Sequence, residues 1–207
     1  MKQKAELAAE LEQLGLNLTE HQWNHIETYL KTLQKWQASI NLTAVHHRHD
    51  LLTLHFFEAF WAAEYFLKPS SVLVDIGSGA GFPGMAIKLF RPETRITLIE
   101  KNLKKAMFLK TLARELCLDA VVVAGPAESF DGWQAVDCAM SRALRPSKEV
   151  LQNLQDNNVH FLHFRGERKD EAFDSWKLTA EQRFPLSENR WVSRYVPNVS
   201  RETSVDC

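Results

Sequence analysis

The sequence predicts an α/β fold in which a doubly wound, mostly parallel sheet follows an N-terminal helical extension. Apolar residues recur at helical spacing through the first third of the 207 residues. From residue 72 onward, short apolar runs alternate with helical patterns. Strands separated by helices form βαβ units, whose parallel strands are covered by helices on both faces. We therefore predict a helical extension over residues 1–68 and a sheet-containing core over residues 69–207.

The composition is typical of a globular protein that stays in solution. It is 45% hydrophobic and 25% charged, and its net charge of −1 disfavours a polycation that coats nucleic acid. No apolar run is long enough to cross a membrane. Three cysteines are too few and too scattered for a disulfide framework or a zinc site. We expect a monomeric protein of the reducing cytoplasm, without a metal and without a membrane partner.

Three helices are predicted before the sheet, over residues 2–14, 19–38 and 51–66. Gly15 is placed to end the first helix. Thr19 and Gln22 form a capping box for the second, and Asp50 is placed to cap the third. Apolar residues at helical spacing, tryptophans among them, predict that all three helices pack inward.

The remainder alternates between strands and helices. We predict strands over residues 72–75, 95–99, 120–124, 136–140, 159–164, 182–186 and 191–196, and helices over residues 84–90, 102–116, 146–154 and 169–176. In the helix over 102–116, the spacing predicts that Leu103, Ala106, Leu109 and Leu112 face the sheet.

A glycine-dense turn lies at the start of the core. Residues 72–84 read V-L-V-D-I-G-S-G-A-G-F-P-G, so that an apolar strand ends in Asp75 and is followed by Gly77, Gly79 and Gly81. Glycine tolerates positive φ and lets a ligand approach the main chain. Free N–H groups and the following helix terminus would then favour an electron-rich or anionic group. The alternative is a plain βα turn, which does not need three alternate glycines.

Polar residues end successive predicted strands. Asp75, Glu100, Ala127-Glu128 and Ser141-Arg142 stand at these positions. In a doubly wound sheet, ligands bind at the carboxyl ends of the strands near the topological switch point. Glu100 is placed to accept hydrogen bonds from both hydroxyls of a ribose. The pattern therefore indicates a ligand that contains a nucleoside.

The turn discriminates between two nucleoside cofactors, the dinucleotide NAD and S-adenosylmethionine. Dinucleotide sites use G-x-G-x-x-G, which leaves room for a pyrophosphate, whereas this chain has G-x-G-x-G followed by Phe82. A phenyl group would crowd a pyrophosphate but tolerates a methionine moiety. Asp75 can order the turn and pair with an ammonium group. The sequence therefore predicts S-adenosylmethionine as the cofactor and the fold of a class I, Rossmann-like methyltransferase.

Six short elements follow one another in a set order. They are Asn41-Leu-Thr-Ala44, His55-Phe56, the turn from Asp75 to Gly84, Glu100-Lys-Asn-Leu-Lys-Lys105, Ala127-Glu128 and Ser141-Arg-Ala143. In this combination, residues 17–166 resemble the small-subunit ribosomal RNA methyltransferase G family, also called glucose-inhibited division protein B. The resemblance implies methyl transfer from S-adenosylmethionine to N7 of one guanine in 16S rRNA, with the rRNA or the small ribosomal subunit as partner.

The resemblance also implies the residues of the site. With the neighbouring positions of the turn and of the second strand's end, the predicted cofactor site comprises Asp75, Gly77, Ser78, Gly79, Gly81, Phe82, Glu100, Lys101, Asn102, Ala127, Glu128 and Arg142. The predicted RNA contacts are Arg142, Arg165, Lys104 and Lys105. With Lys101, Lys110 and Arg114, the two lysines could form a stripe that follows RNA, although these five fit a solvated helix face equally well. The chain departs from the family pattern at Glu58, usually Asp, at Arg165, usually Lys, and in the tail from residue 194.

The implied chemistry needs alignment more than proton transfer. Guanine N7 has a lone pair and no proton at neutral pH, so we expect no general base and no conventional catalytic residue. Arg142 is predicted to position the substrate or cofactor, the alternative being a salt bridge to an acid such as Glu128. Cys138 lies mid-strand and is expected to be buried and inert. His46, His47 and His49 lack metal-ligand spacing.

Two other functions remain open from the residues alone. One is a class I methyltransferase that acts on a small molecule or a protein, which favours a helical lid over a deep apolar pocket. The other is a ribosome-binding or RNA-binding module with a vestigial cofactor site. Retention of Asp75, the alternate glycines and Glu100 argues against the second.

Overall fold

The computed structural model describes residues 2–166, 173 and 175–198 of the chain. Its helices are α1 (Lys2–Gln13), α2 (Glu20–Gln37), α3 (Arg48–Leu51), α4 (Glu58–Phe66), α5 (Gly84–Phe90), α6 (Leu103–Glu115) and α7 (Lys148–Asp156). Its strands are β1 (Val72–Ile76), β2 (Arg95–Glu100), β3 (Val121–Ala124), β4 (Cys138–Arg142), β5 (His160–Arg165), β6 (Trp176–Arg183) and β7 (Trp191–Pro197).

The strands form one seven-stranded sheet in the order β3-β2-β1-β4-β5-β7-β6. Pairing is parallel from β3 to β5 and antiparallel on both sides of β7. The chain moves outward from β1 to β3 and then returns to β4, so the strand order reverses beside β1. This confirms the doubly wound, mostly parallel sheet, and it places the switch point at the carboxyl ends of β1 and β4.

The first two N-terminal helices form where their caps predict, whereas the third begins at Arg48 after His47, so Asp50 lies within it and the prediction that Asp50 caps it is wrong. The Gln22 N–H donates to Thr19 Oγ1 (3.2 Å) and the Thr19 N–H donates to Gln22 Oε1 (2.8 Å), which confirms the capping box. Gly15 adopts the left-handed conformation that ends α1 (φ +69°). The third predicted helix includes α3, a π-helical segment (Leu52–Phe57) and α4, in one unbroken run.

The helical extension and the sheet share a core. One hydrophobic cluster includes Leu11 and Ile26 of the extension together with Leu73 and Leu98 of the sheet. A second cluster, with Val150 of α7, covers the opposite face of the sheet. The division at residue 68 stays a prediction, because apolar packing continues across it.

Three predictions about individual elements need correction. Leu103 does not face the sheet but is 70% exposed, since α6 buries the face that carries Ala106, Leu109 and Leu112. Most of the predicted helix over residues 169–176 lies outside the described residues, and Trp176 begins β6. That strand ends at Arg183, so the strand predicted over residues 182–186 is placed too far along the chain. The tail beyond residue 198 also lies outside them. In the part of the chain that is described, no helix is long and apolar enough to span a membrane.

Candidate functional site

A cavity of about 430 Å³ opens at the carboxyl ends of the central strands. Its lining comprises Ile76, Gly77, Ile99, Glu100, Lys101, Gly125, Pro126, Ala127, Glu128, Leu144, Arg145, Pro146, Ser147 and Val150. Five of these residues were predicted from the sequence, and the volume suits a small cofactor. A cavity of about 550 Å³ lies elsewhere, between α2 and the segment over residues 43–51, and no predicted cofactor residue lines it.

Glu100 ends β2 and is fixed by two backbone donors. The Gly79 N–H donates to its Oε2 (2.9 Å) and the Asn102 N–H donates to its Oε1 (2.8 Å). Each carboxylate oxygen can accept a second hydrogen bond, so the group can still receive a pair of hydroxyls. Asn102 then caps α6, because its Oδ1 accepts the N–H groups of Lys104 and Lys105. The second strand's end therefore brings Glu100, Lys101 and Asn102 to one edge of the cavity.

The N–H groups of the glycine turn are used within the protein. Gly77 and Ser78 both donate to the Ile99 carbonyl (2.8 and 3.1 Å), Gly79 donates to Glu100, and Gly81 donates to the Ser78 carbonyl (2.7 Å). At these four positions the prediction of free donors to an anion is therefore wrong. A pyrophosphate here would meet the Glu100 carboxylate in place of backbone donors, whereas a positively charged ligand would be favoured.

Two glycines of the turn are required by close neighbours. A Cβ on Gly81 (φ +91°) would lie 2.3 Å from the hydroxyl oxygen of Tyr29, which donates to the Ala80 carbonyl (2.7 Å). A Cβ on Gly77 (φ +72°) would lie 2.6 Å from Cδ2 of Leu144. Tyr29 belongs to α2, so the helical extension helps to shape the turn. Leu144, which the sequence did not indicate, covers the turn from the segment after β4.

Asp75 lies fully buried beneath the turn and orders it. Its Oδ2 accepts the Gly84 N–H (2.9 Å), and the Ser78 hydroxyl donates to its carbonyl (2.9 Å). Burial raises the pKa of the Asp75 carboxyl to about 7. Its Oδ1 is buried and has no hydrogen-bond partner among the described residues. This orphaned acceptor fits the ammonium group of an amino-acid moiety.

The ring of Phe82 faces the core. It stacks on Tyr29 (centroids 5.1 Å apart) and on His55 (4.7 Å), and Phe56 meets it edge-on. The ring is directed into the core and joins the turn to the helical extension, whereas a cofactor contact by Phe82 stays a prediction. Its bulk therefore does not separate the two cofactor types. The occupied N–H groups of the turn do so.

Arg142 extends from the end of β4 into a buried ion pair. Its Nη1 lies 2.5 Å from Oε2 of Glu58 and donates to the Leu54 carbonyl (3.0 Å). The Arg142 side chain is 11% exposed and that of Glu58 is 0% exposed. The alternative of a salt bridge to an acid is confirmed, but the acid is Glu58 and not Glu128, which accepts from the Ser147 hydroxyl at 2.7 Å. Nε and Nη2 of Arg142 are buried and lack partners in the described structure.

Residues that the sequence marked without a role converge on Arg142. The Thr43 hydroxyl lies 3.2 Å from Nε2 of His55, whose Nδ1 lies 3.4 Å from Nη1 of Arg142. Burial, with Arg142 and Arg190 nearby, lowers the pKa of His55 to about 2, so its imidazole is neutral. Arg190, which sequence reasoning missed, lies 3.8 Å from Glu58. Thr43, His55 and Glu58 lie in or beside the short elements that carry the family resemblance. The order of those elements along the chain was the sequence signal that could have marked these residues.

The predicted RNA contacts separate into two groups. Lys104 is exposed on α6 and Lys105 is half-buried there, beside the cavity. Arg165 is corrected, because its buried guanidinium pairs with Glu181 and donates to the Ser193 hydroxyl (2.7 Å). It supports the β5–β7–β6 edge of the sheet and is not directed outward for contact with RNA.

The structure also limits the chemistry of the site. Cys138 is buried, as predicted, and burial raises the pKa of its thiol to about 12, which makes it a poor nucleophile. His46 lines the larger cavity, and His49 lies 3.0 Å from Glu10. No group of three metal-ligating side chains is found within the described ranges.

Comparison with known proteins shows a consistent set of relatives. Residues 22–185 match the family model described as rRNA small subunit methyltransferase G. A ribosomal RNA small subunit methyltransferase G of Klebsiella pneumoniae is 32% identical over 166 residues, covering 78% of this chain and 79% of the relative. One of Methylobacillus flagellatus is 38% identical over 144 residues, covering 69% and 68%.

Solved structures share the fold. A mutant of MtNAS in complex with S-adenosylmethionine superposes with a TM-score of 0.58 at 14% identity, covering 84% of this chain and 71% of that one. A SAM-dependent methyltransferase from Aquifex aeolicus gives 0.56 at 14% identity, covering 82% and 98%. At these identities the likeness shows the fold alone, and it confirms the class I, Rossmann-like architecture.

Proposed function

The chain belongs to the rRNA small subunit methyltransferase G family, and we propose that it transfers a methyl group from S-adenosylmethionine to N7 of a guanine in 16S rRNA. Family membership supports an enzyme that methylates small-subunit rRNA. The cofactor, the target atom and the residue roles are our proposal.

The cavity beside Glu100 is the observation that carries the cofactor assignment. Glu100 is held by Gly79 and Asn102 with its remaining lone pairs available to ribose hydroxyls. Ala127 and Glu128 line the far side, where an adenine would lie. Asp75 supplies an unpaired carboxylate oxygen beneath the turn for the ammonium group. The residues therefore fit a cationic nucleoside, and the bound cofactor would supply an electrophilic methyl group on its sulfonium.

The proposed reaction depends on how the chain orients the base. N7 of guanine has a lone pair, so its attack on the methyl carbon needs no proton removal. His55 is neutral and buried, and Asp75 lies beneath the turn, so neither is needed as a general base. Rate enhancement then comes from holding N7 in line with the departing sulfur, in a site whose dipoles are already oriented.

Arg142 is the residue that we propose to position the substrate. Glu58 and the Leu54 carbonyl hold one nitrogen of its guanidinium, and Nε and Nη2 remain unpaired in the described structure. Guanidinium donors match the O6 acceptor of guanine or a phosphate oxygen. The fixed geometry supports a role in orienting the substrate at the end of β4.

We also propose that the protein acts as a monomer in the cytoplasm. A single chain supplies all the residues that line the cavity, and small ribosomal subunits are cytoplasmic. Light scattering on the purified protein tests the first point, and cell fractionation tests the second.

The test of the function is nucleoside mapping. Small ribosomal subunits from cells that lack the gene are incubated with the protein and S-adenosylmethionine, and 16S rRNA is analysed for N7-methylguanine by mass spectrometry. We expect one new N7-methylguanine, at the position that is unmodified in those cells and modified in the parent strain. Identical modification in both strains and no transfer in vitro would refute the proposal.

A further inference from the structure

Helix α6 presents an exposed stripe that the cofactor site does not explain. Leu103, Met107, Lys110 and Arg114 follow one another at intervals of four, three and four residues, so they share one face of the helix. All four are exposed. We refer to these four residues as the α6 ridge. The opposite face of α6 is buried against the sheet and α2.

The ridge begins with two apolar side chains in water. Leu103 is 70% exposed and Met107 is 56% exposed, and Leu103 is the most exposed large hydrophobic residue of the described chain. Side chains at i and i+4 on a helix are neighbours, so the two form one apolar patch. Packing within the protein does not account for this patch, and contiguous exposed apolar surface is typical of interaction sites.

The apolar end of the ridge begins two residues after Lys101, which lines the cofactor cavity. Lys101 lines that cavity, and Asn102 is bonded to Glu100 and caps α6. Leu103 is the next residue, and Met107 lies one turn farther along. The patch therefore follows directly in the chain on the end of β2 that borders the cavity.

The charge around the patch identifies the class of partner. Five cations and no acid occur between residues 101 and 114, and Lys104 stands beside Leu103. The next acid, Glu115, accepts a hydrogen bond from the Thr32 hydroxyl. Unpaired RNA combines phosphates, which bind cations, with base faces and riboses, which bind apolar surface. A protein partner would have to supply an acidic surface around an apolar centre.

We propose that the α6 ridge is a contact surface for unpaired RNA, with a base or ribose next to the methylated guanine lying on Leu103 and Met107 and its phosphates on Lys110 and Arg114. This inference rests on the proposed function, because it assumes an RNA substrate. It assigns substrate recognition to a helix face whose first turn also closes the cofactor site.

The test combines RNA binding with methyl transfer. In the variant Leu103→Ala/Met107→Ala, both changes lie at exposed positions, and alanine favours the helix. We expect its Kd for unmodified 16S rRNA, by filter binding, and its KM for that rRNA to rise about tenfold, the loss expected for removing a few partly buried methylene groups. Its Kd for S-adenosylmethionine by calorimetry should stay unchanged.

A matched control separates this surface from exposed apolar residues in general. Val121 is 57% exposed and opens β3, at the opposite end of that strand from the cavity. Val121→Ala should leave RNA binding and KM as in the wild type. In a second variant, Lys110→Gln/Arg114→Gln, the slope of log Kd against log salt should fall by about one to two, as expected for two lost phosphate contacts.

The outcomes are distinguishable. If the wild type methylates rRNA and the Leu103/Met107 variant binds and turns over rRNA like the wild type, the ridge proposal is overturned and the proposed function stands. A defect with assembled small subunits but not with naked rRNA would also overturn it, because the patch would then contact protein. Absence of methyl transfer and of rRNA binding in the wild type would remove the proposed function itself.

Discussion

Replacing Arg142 tests the site most directly, but the structure shows that the single variant is ambiguous. Arg142→Met leaves Glu58, which is 0% exposed, with Arg190 at 3.8 Å as its nearest described cation. Breaking a buried ion pair from one side costs about 3–5 kcal/mol, because the remaining charge loses its compensation. Arg142 is slightly exposed and Arg190 stays nearby, so we expect about 3 kcal/mol. That is a large fraction of the stability of a typical domain, about 5–15 kcal/mol.

The double variant Glu58→Leu/Arg142→Met separates stability from function. Removing both charges leaves neither ion unpaired within this couple, and such replacements are often neutral or stabilising. We expect its free energy of unfolding to return to within about 1 kcal/mol of the wild type, while methyl transfer to rRNA stays lost. Glu58→Asp, which restores the usual residue of the family, serves as the control and should keep both properties.

The assays are urea unfolding followed by tryptophan fluorescence, and methyl transfer to unmodified 16S rRNA. A double variant with native stability and wild-type methyl transfer would show that Arg142 has only a structural role. A single variant as stable as the wild type would show that the charge on Glu58 is not effectively buried.

Three further predictions concern the cavity and the turn. Glu100→Gln should weaken S-adenosylmethionine binding in calorimetry by about tenfold or more, because a charged acceptor of the ribose hydroxyls is lost. Glu93→Gln, at an exposed position before the opposite end of β2, should change it little, and equal effects would contradict the ribose assignment. Burial raises the pKa of Asp75 to about 7, above its ordinary 3.8, so the native state binds the proton more tightly than the unfolded chain, and this stabilisation is lost as the pH rises through 7. Unfolding of the cofactor-free protein between about pH 4 and pH 8 should thus show a decline that Asp75→Asn removes, and parallel curves for the two proteins would refute the assignment. Gly81→Ala would place a Cβ 2.3 Å from the Tyr29 hydroxyl at φ +91°, and should cost about 2 kcal/mol or more in thermal unfolding; an unchanged melting temperature would contradict the close approach.

Local sequence signals account for most of the helices and strands that were predicted correctly. The capping box at Thr19 and the apolar run before Asp75 depend on residues a few positions apart, so the sequence alone indicates them. Glu100 is found in the same way, because the end of a buried strand beside a glycine turn is visible as a pattern. The cavity edge formed by Glu100 and Lys101 therefore needed no tertiary information.

Tertiary structure decided where side chains point and which distant groups meet. Phe82 stands in the most informative motif of the chain, yet its ring packs on Tyr29 and His55. Leu103 has the spacing of a core residue, yet its side chain is exposed to solvent. Periodicity indicates that a helix has a buried face but locates that face only to within about one residue in the turn.

The sequence by itself determined the doubly wound sheet, the glycine turn and the acid that ends the second strand. The alternation of strands and helices, the glycine spacing and the end of an apolar run are all local patterns. The pairing of Glu58 with Arg142 joins the helical extension to the end of β4, and no spacing rule connects the two. Only the folded chain shows that the turn's N–H groups are already bonded to Ile99 and Glu100. Whether a backbone N–H group is free to bind a ligand depends on which acceptors the fold brings next to it. A sequence pattern does not contain that information.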